Sequence, residues 1–527
     1  MPLLSTLARL EAVRAGRAQP LTTVRHRRLN EKPLVFVPLT TAGEAGAPLG
    51  AMVGTDPNEP RVFVIPQPRD RDLRWAFLAD LAVHVLAHID AYADAVEPAE
   101  RSETDPETGK RVKVETELCV DAPQLIVPSR AGIEYVRLLG RSMRFRRTAE
   151  EDPDNPYPAP SRVPLLGRWF THLGERARVP GSSMLLSATD LLSRHWATGQ
   201  SNLEDQHLGA LLAWIAPSGG GSGAEAALRA ELGRDEHGQL LCPPAGPATD
   251  PAFDNKLLAP AIARYDAARA ALAAGPGDDD REVRTAERAV RRLVVDQMSS
   301  TWWATWEAID LVRALPPGER AEERWTRDRW SYTGHRDRVR AGEPPQPRRD
   351  DAVTAAQKLA TRETEQVRLD AQEALDDPLV MAGRRLAGEA FAGEVTEVVM
   401  EWTESKRPSP RPLVTVSTED RPQLADGGGA KVYRSLDGRP QSAQFVRVEE
   451  DGQVVLRLLD KMGRGRDPEP GSVPEKGDRV CWTLFEHDAR GGPKLPDPEH
   501  TPWTHGGPPG SGTAVHLPDA VTDEDIL

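Results

Sequence analysis

The spacing of apolar residues changes along the chain, and this change constrains the fold more than any other feature of the sequence. Between residues 281 and 315 apolar residues recur every three to five positions, which predicts long helices. After residue 392 the chain carries six short runs rich in β-branched and aromatic residues, separated by turns of Gly, Pro and Asp. Short antiparallel strands hide their edges most easily by closing into a barrel. The sequence therefore predicts an α+β protein that is mostly helical, with a small antiparallel C-terminal β-barrel of OB-like or SH3-like type.

These patterns divide the chain into five segments. They are a mostly α domain with a small β-meander over 1–216, a Gly/Pro-rich linker over 217–250, a long helical stalk over 251–392, the β-barrel over 393–490 and a flexible tail over 491–527. The meander is predicted from three short apolar runs, which are Pro33–Leu39, Leu49–Gly54 and Arg61–Pro68.

Charge and cysteine content narrow the classes of protein that fit. The 527 residues have a formal net charge of −14, so nucleic acid would have to be contacted by local basic patches. The three cysteines lack C-x-x-C spacing and predict neither a disulfide framework nor a zinc knuckle. No stretch of 18 apolar residues occurs and the opening residues lack a long apolar core, so we expect a cytoplasmic protein without a membrane span. Heavy use of Ala, Arg, Gly and Pro is typical of high-GC bacteria.

A segment near the end of the chain is similar to a phosphate-binding loop. Gly507–Gly512 reads GPPGSG, but Thr513 stands where the loop needs Lys and Ala514 stands where it needs a hydroxyl. Those two groups pair with the outer phosphates and ligate magnesium, respectively. We therefore expect a flexible tail here and no ATP hydrolysis by this chain.

Other candidate sites for chemistry are incomplete. His84 and His88 have the i, i+4 spacing of a zinc-binding helix, but Val85 replaces the Glu of H-E-x-x-H, and partly buried structural histidines are the alternative. The carboxylates of Pro276–Glu282 fit a solvated loop, and no G-x-S-x-G motif occurs. We expect no catalytic site, no cofactor and no bound metal, with zinc at the two histidines left open.

Two arginine-rich stretches suggest contact with nucleic acid. One mixes arginines, which can contact phosphates, with rings that can stack on bases. Its candidate residues are Arg324, Trp325, Arg327, Arg329, Trp330, Tyr332, Arg336 and Arg338. The other is a stripe on one predicted helix, formed by Arg130, Arg137, Arg141 and Arg144. The alternatives are that the rings join two helices and that the arginines form a solvated helix face.

A family resemblance adds to this interpretation. Long helices lead into a small barrel, with Gly383–Val398 at the junction and the GPPGSG segment downstream. This layout resembles the accessory stalk and barrel of superfamily-1B helicases of the nonsense-decay and tRNA-splicing type, in which the barrel guides single-stranded nucleic acid. The chain departs from that family because the loop Lys and both ATPase lobes are missing. The resemblance thus implies a detached accessory module that works beside a separately encoded helicase.

We therefore hypothesise a non-catalytic, nucleic-acid-associated subunit that acts with a helicase or nuclease on single-stranded DNA or RNA, in bacterial genome maintenance or antiphage defence. A protein-interaction scaffold without nucleic-acid contact is the alternative, and an unrecognised enzyme is the third possibility.

Overall fold

A computed structural model describes residues 3–44, 46–104, 110–217, 221–274, 279–424, 428–449, 452–463 and 465–488. These residues form two compact units. The larger, which we call the sheet unit, contains residues 11–19 and 25–358. The smaller, which we call the barrel unit, contains the described residues among 1–10, 20–24 and 359–494. The predicted tail and its GPPGSG segment lie outside the described residues.

The helices are, in chain order, α1 (Leu3–Ala15), α2 (Arg71–Asp90), α3 (Arg130–Met143), α4 (Val163–Arg176), α5 (Ala188–His195), α6 (Leu208–Ile215), α7 (Gly223–Leu232), α8 (Pro251–Phe253), α9 (Ala259–Ala274), α10 (Arg281–Arg313), α11 (Ala321–Arg340), α12 (Ala352–Asp376) and α13 (Pro378–Leu386). A 3-10 turn at Glu204–Gln206 precedes α6, and a π-helical turn at Asp254–Leu258 joins α8 to α9.

The strands are β1 (Gln19–Pro20), β2 (Leu34–Thr40), β3 (Pro48–Gly54), β4 (Arg61–Val64), β5 (Val96–Thr104), β6 (Arg111–Cys119), β7 (Leu125–Val127), β8 (Leu185–Ser187), β9 (Trp196–Ala197), β10 (Ala390–Val399), β11 (Leu413–Ser417), β12 (Lys431–Leu436), β13 (Arg439–Val448), β14 (Val454–Leu458) and β15 (Arg479–Thr483). Together with the helices they confirm the predicted α+β class.

The sheet unit is built on a five-stranded mixed sheet with the order β4-β3-β2-β7-β8. The predicted meander is present as the antiparallel strands β2, β3 and β4, and β7 and β8 extend it by parallel pairing. Alternate residues of β2 point to opposite faces, because side chains in a strand alternate. Phe36 packs in one core with α2, α3, α4 and α11, whereas Val37 packs in a second core with α5, α6, α9 and α10. The result is a sheet with helices on both faces.

The central helices differ from the predicted stalk. α10 packs against β2 and β3, and α11 packs against β6, so both lie within the sheet unit. Met298 and Trp302 are fully or almost fully buried in the second core, which explains why α10 is apolar on one side. The segment predicted as a linker also differs, since it contains α7, which packs against α6.

The barrel unit contains a closed six-stranded barrel with the order β10-β11-β14-β13-β12-β15. Each strand coincides with one of the six runs predicted from the period of two. All described neighbours pair antiparallel, and Phe391 and Trp482 fill the interior. The predicted antiparallel barrel is therefore confirmed, with one strand more than the five of an OB-fold.

Close packing of α3 on α4 fixes the position of the site described next. A Cβ at Gly140 would lie 2.5 Å from the backbone nitrogen of Thr171, and one at Gly167 would lie 2.5 Å from that of Arg144. Glycine at both positions lets the two helix backbones approach closely. The same approach buries Trp169 and His172 of α4 beside α11.

Candidate nucleic-acid interface

The helix α11 carries all eight candidate residues of the first arginine-rich stretch, and two of its rings belong to the core. Trp325 is 3% exposed and Tyr332 is 0% exposed. The Trp325 Nε1 donates to Asp121 Oδ1 at 2.7 Å, and the Tyr332 hydroxyl donates to the carbonyl oxygen of Ile89 at 2.7 Å. The prediction that these two rings stack on bases is therefore wrong, because neither ring reaches the surface.

Two arginines of α11 are buried as well. The Arg324 guanidinium donates to the carbonyl oxygen of His26 at 2.9 Å. The Arg336 guanidinium donates to the carbonyl oxygen of Ala93 at 2.6 Å and approaches the Cys119 sulfur at 2.9 Å. Buried guanidinium groups require such partners, since an unpaired buried charge is strongly unfavourable. Arg324 and Arg336 are thus structural, which corrects their predicted role as phosphate contacts.

Two further candidate arginines of α11 form ion pairs within the sheet unit. Arg327 lies 3.7 Å from Glu323, one turn earlier on the helix. Arg329 pairs with Glu97 of β5 and donates to the carbonyl oxygen of Cys119 at 2.8 Å. Their charges are already balanced by carboxylates, so they contribute less to attracting a phosphate than an unpaired arginine would.

The stripe on α3 is also largely occupied by internal contacts. Arg130 pairs with Asp190 at 2.8 Å, and Arg137 pairs with Glu134 while its stem lies against α4. Arg141 is exposed and has a partner of its own. These arginines therefore form a solvated, paired helix face, which was the alternative interpretation.

The last arginine of that stripe is buried. Arg144 is 4% exposed, and its guanidinium donates to the carbonyl oxygens of Gln346 at 3.0 Å and Pro347 at 3.3 Å. These hydrogen bonds hold the segment after α11 against the end of α3. The predicted role of Arg144 as a surface phosphate contact is therefore wrong.

The remaining candidates of α11 line an open groove of about 500 Å³ between this helix and the β5–β6 hairpin. We call it the α11 groove. Its lining residues are Glu100, Arg101 and Ser102 of β5 and Trp330, Ser331, Gly334 and Arg338 of α11. The sequence predicts only a mostly α domain over the residues of this hairpin, so the second wall of the groove does not follow from it.

Arg338 is distinguished from its neighbours by its lack of partners. It is exposed, and within the described part of the chain its guanidinium has no hydrogen bond or ion pair. The next arginine of the helix, Arg340, pairs with Asp94 at 2.7 Å. Trp330 lies two turns before Arg338 on the same helix face and is half-buried, so part of its ring is open to the groove. An unpaired guanidinium and an accessible indole therefore share one surface.

A histidine pair lies below the groove. The Ser331 hydroxyl is 3.5 Å from His172 Nε2, and the ring of His172 stacks on that of His335 with centroids 4.1 Å apart. Burial, together with the nearby charges of Arg338 and Arg168, lowers the pKa of His335 to about 3. Burial also holds the pKa of His172 well below its ordinary value. Both rings are consequently neutral at pH 7.

Arg168 adds a second positive charge to this region. Burial lowers its pKa, Glu343 opposes that shift, and repulsion from Arg338 adds to it. Over the described ranges Arg168 has no ion pair, and its Nε is buried without a hydrogen bond. Glu343 affects the pKa of Arg168 more than Arg338 does, so the positive charge of Arg168 is partly offset by that carboxylate.

The two histidines considered for metal binding lie elsewhere, on α2. The ring of His84 is half-buried and lies 5.4 Å from that of Phe63. Burial lowers the pKa of His88 to about 4, and its ring meets Tyr92 edge-on. Across the described ranges, no three histidine, cysteine or carboxylate side chains converge in the arrangement that a metal ion requires. The residues of Pro276–Glu282 include 276–278, which lie outside the described part, while Asp279 pairs with Arg281.

A second cavity of about 500 Å³ lies beside the end of β2 and holds several carboxylates. Three of these carboxylates have an ion-pair or hydrogen-bond partner within the sheet unit. Glu44 pairs with Arg69 at 2.6 Å, and Asp266 accepts from Gln67 at 2.6 Å. Asp254 accepts from the Thr249 hydroxyl at 2.6 Å. The described carboxylates of this cavity are therefore held by hydrogen bonds or an ion pair, in contrast to the Arg338 guanidinium of the α11 groove.

Comparison of the chain with models of protein families, with curated proteins and with solved structures finds no match. None of the described helices is both long enough and apolar enough to span a lipid bilayer.

Proposed function

We propose that the chain is a non-catalytic accessory subunit that holds single-stranded DNA or RNA in the α11 groove and acts with a separately encoded helicase or nuclease. The observation that carries the proposal is the Arg338 guanidinium, which has no partner among the described residues and shares the groove with the accessible ring of Trp330. Arginine contacts phosphate and an aromatic ring stacks on a base, and single strands offer both groups at once.

Charge supports an anionic ligand at this place. The chain as a whole has a formal net charge of −14, so a polyanion is repelled by most of the surface. The groove itself is lined by two arginines, Arg101 and Arg338, and by one carboxylate, Glu100, which is paired with Lys113. The groove is therefore a local basic patch of the kind that an acidic protein needs for nucleic-acid contact.

A single strand fits the groove better than a duplex. The indole of Trp330 can stack only on a base whose face is exposed, and the bases of a duplex are stacked on each other. On the opposite wall Glu100 is paired with Lys113, and the Ser102 hydroxyl can accept a hydrogen bond from a base edge or donate one to it.

The accessory role rests on the sequence and on the barrel. The loop-like segment has Thr513 in place of the phosphate-binding Lys, so ATP-driven work is assigned to a partner. A small closed barrel is also the element that the helicase resemblance implies. Bacterial genome maintenance or antiphage defence in the cytoplasm remains part of the proposal.

The test is fluorescence anisotropy with labelled single-stranded DNA and RNA oligonucleotides at low salt. Trp330→Ala should weaken binding by about 1–3 kcal/mol, which is the contribution of one base–aromatic stack. Trp303→Ala is the matched control, because Trp303 is an indole 53% exposed on α10. Equal binding by both variants, or no binding by the wild-type chain, would overturn the proposal and leave the protein-interaction scaffold as the explanation.

A further inference from the structure

Gly334 occupies an unusual place in α11. It lies in the interior of a 20-residue helix, where glycine is less favourable than alanine because it loses more backbone entropy. A Cβ added at Gly334 would meet nothing within 4 Å. No contact within the described part of the chain therefore requires glycine at this position.

Glycines of the neighbouring helices have a packing reason that Gly334 lacks. A Cβ at Gly140 or Gly167 would collide with the backbone of the facing helix at 2.5 Å. A Cβ at Gly174 would lie 2.3 Å from the Arg137 side chain. These three glycines allow α3 and α4 to pack closely, whereas the space above Gly334 is part of the α11 groove.

Gly334 lies midway along α11 between two other residues that line the groove. It follows Trp330 by four residues and precedes Arg338 by four, so the three residues share one face of the helix. Trp330 and Arg338 are separated by about 12 Å along the helix axis, from a rise of about 1.5 Å per residue. The opening over Gly334 thus lies between a stacking ring and an unpaired cation.

We propose that this opening receives an unstacked nucleobase, which lies against the indole of Trp330 while its phosphate contacts Arg338. The inference rests on the proposed function and specifies the ligand of the same groove as a nucleotide unit with its base turned in. Gly334 is a specificity-determining residue because any side chain there would occupy the space of the base. Ser102 on the opposite wall can donate to or accept from a base edge of any type, so the opening selects for the presence of a base and not for its identity.

The experiment compares Gly334→Ala with Gly383→Ala in thermal unfolding and in oligonucleotide binding. Gly383 is the matched control because it also lies in a helix and its added Cβ would make only an ordinary contact, 3.7 Å from Leu4. Both variants should melt about 1–3 °C higher than the wild-type protein, as alanine is the better helix former. Only Gly334→Ala should weaken binding of a normal single-stranded oligonucleotide, by about 5- to 150-fold, the equivalent of one lost stack.

An oligonucleotide of abasic sites, which keeps the phosphates and lacks the bases, completes the test. Wild-type protein should bind it as weakly as Gly334→Ala binds the normal strand, and the variant should bind both strands alike. Undiminished binding by Gly334→Ala would overturn the inference while the proposed function stood, because Trp330 could still stack on a base outside the opening. Equal binding of normal and abasic strands by the wild-type protein would remove that stack and overturn both. Failure of the wild-type protein to bind any strand would instead remove the proposed function. A lower melting temperature of Gly334→Ala would assign the glycine to packing and also overturn the inference.

Discussion

The imidazole rings of His172 and His335 lie parallel to within 3°, with their centroids 4.1 Å apart, beneath the α11 groove. Trp169 meets the ring of His335 edge-on at 4.6 Å. The charged groups that face the pair are Arg168, Arg176 and Arg338, all of them cations. A proton on either ring would be buried beside positive charge, so the pair is stable only when neutral.

This arrangement predicts that the protein loses stability as the pH falls below about 6.5. The pKa of His335 is about 3 in the folded protein against an ordinary value of 6.5. Below pH 6.5 the unfolded chain therefore binds a proton that the folded chain does not bind. Each such histidine lowers the free energy of unfolding by about 1.4 kcal/mol per pH unit between its two pKa values. Urea unfolding between pH 7.5 and 4.5 measures the slope. His335→Phe should flatten it by about one proton, and an unchanged slope in that variant would refute the assignment.

The hydroxyl of Tyr332 is expected to act in folding and not in binding. Tyr332→Phe removes the donor to the buried carbonyl oxygen of Ile89 and should lower the free energy of unfolding by about 1–3 kcal/mol. The folded variant should bind single strands as the wild-type protein does. Denaturant titration and anisotropy on the same preparation check both expectations. Unchanged stability with lost binding would restore the stacking role that the sequence predicted.

Asp328 is expected to be the most sensitive acidic residue of α11. It is fully buried, and its carboxylate accepts from Arg176 at 2.6 Å, from the Ser182 hydroxyl at 2.7 Å and from the backbone nitrogen of Ser183 at 2.6 Å. Asp328→Ala should destabilise the protein by about 3–5 kcal/mol, because it leaves a largely buried guanidinium without its counter-charge.

The exposed Glu323, also on α11, provides the control for this prediction. Its side chain is 58% exposed and its partner Arg327 also reaches solvent, so Glu323→Ala should change the free energy of unfolding by no more than about 1 kcal/mol. Comparable losses in the two variants, measured by denaturant unfolding, would show that Asp328 does not organise the contact between α4 and α11.

The barrel could be predicted from sequence because its strands alternate, whereas the central sheet could be predicted only in part. β12 and β13 alternate between buried and more exposed residues in a pattern close to a period of two. β7 and β8 have three residues each, all buried, and a short continuous apolar run does not distinguish a strand from a helix. The sequence therefore predicts only the antiparallel meander of this sheet, and its parallel strands β7 and β8 do not follow from it.

The arginine-rich and aromatic composition of residues 324–340 indicates the candidate site, but it does not show which of these side chains are exposed to solvent. Arginine and aromatic residues occur on every side of α11, so its sequence has almost no amphipathic signal. Trp325 and Trp330 are five residues apart and are placed respectively in the core and in the groove by tertiary packing. Only the contacts of each arginine show that Arg338 is the one without a partner among those described on α11.

The most direct measurement of the central claim is the salt dependence of single-strand binding by Arg338→Ala and Arg340→Ala. Both variants remove one positive charge from the same end of α11, but Arg340 is already paired with Asp94. If Arg338 contacts a phosphate, its removal should flatten the plot of log K against log salt concentration by about 0.7, the value for one lost contact on a single strand. Arg340→Ala should leave that slope unchanged. Identical slopes in the wild-type protein and in Arg338→Ala would contradict the account.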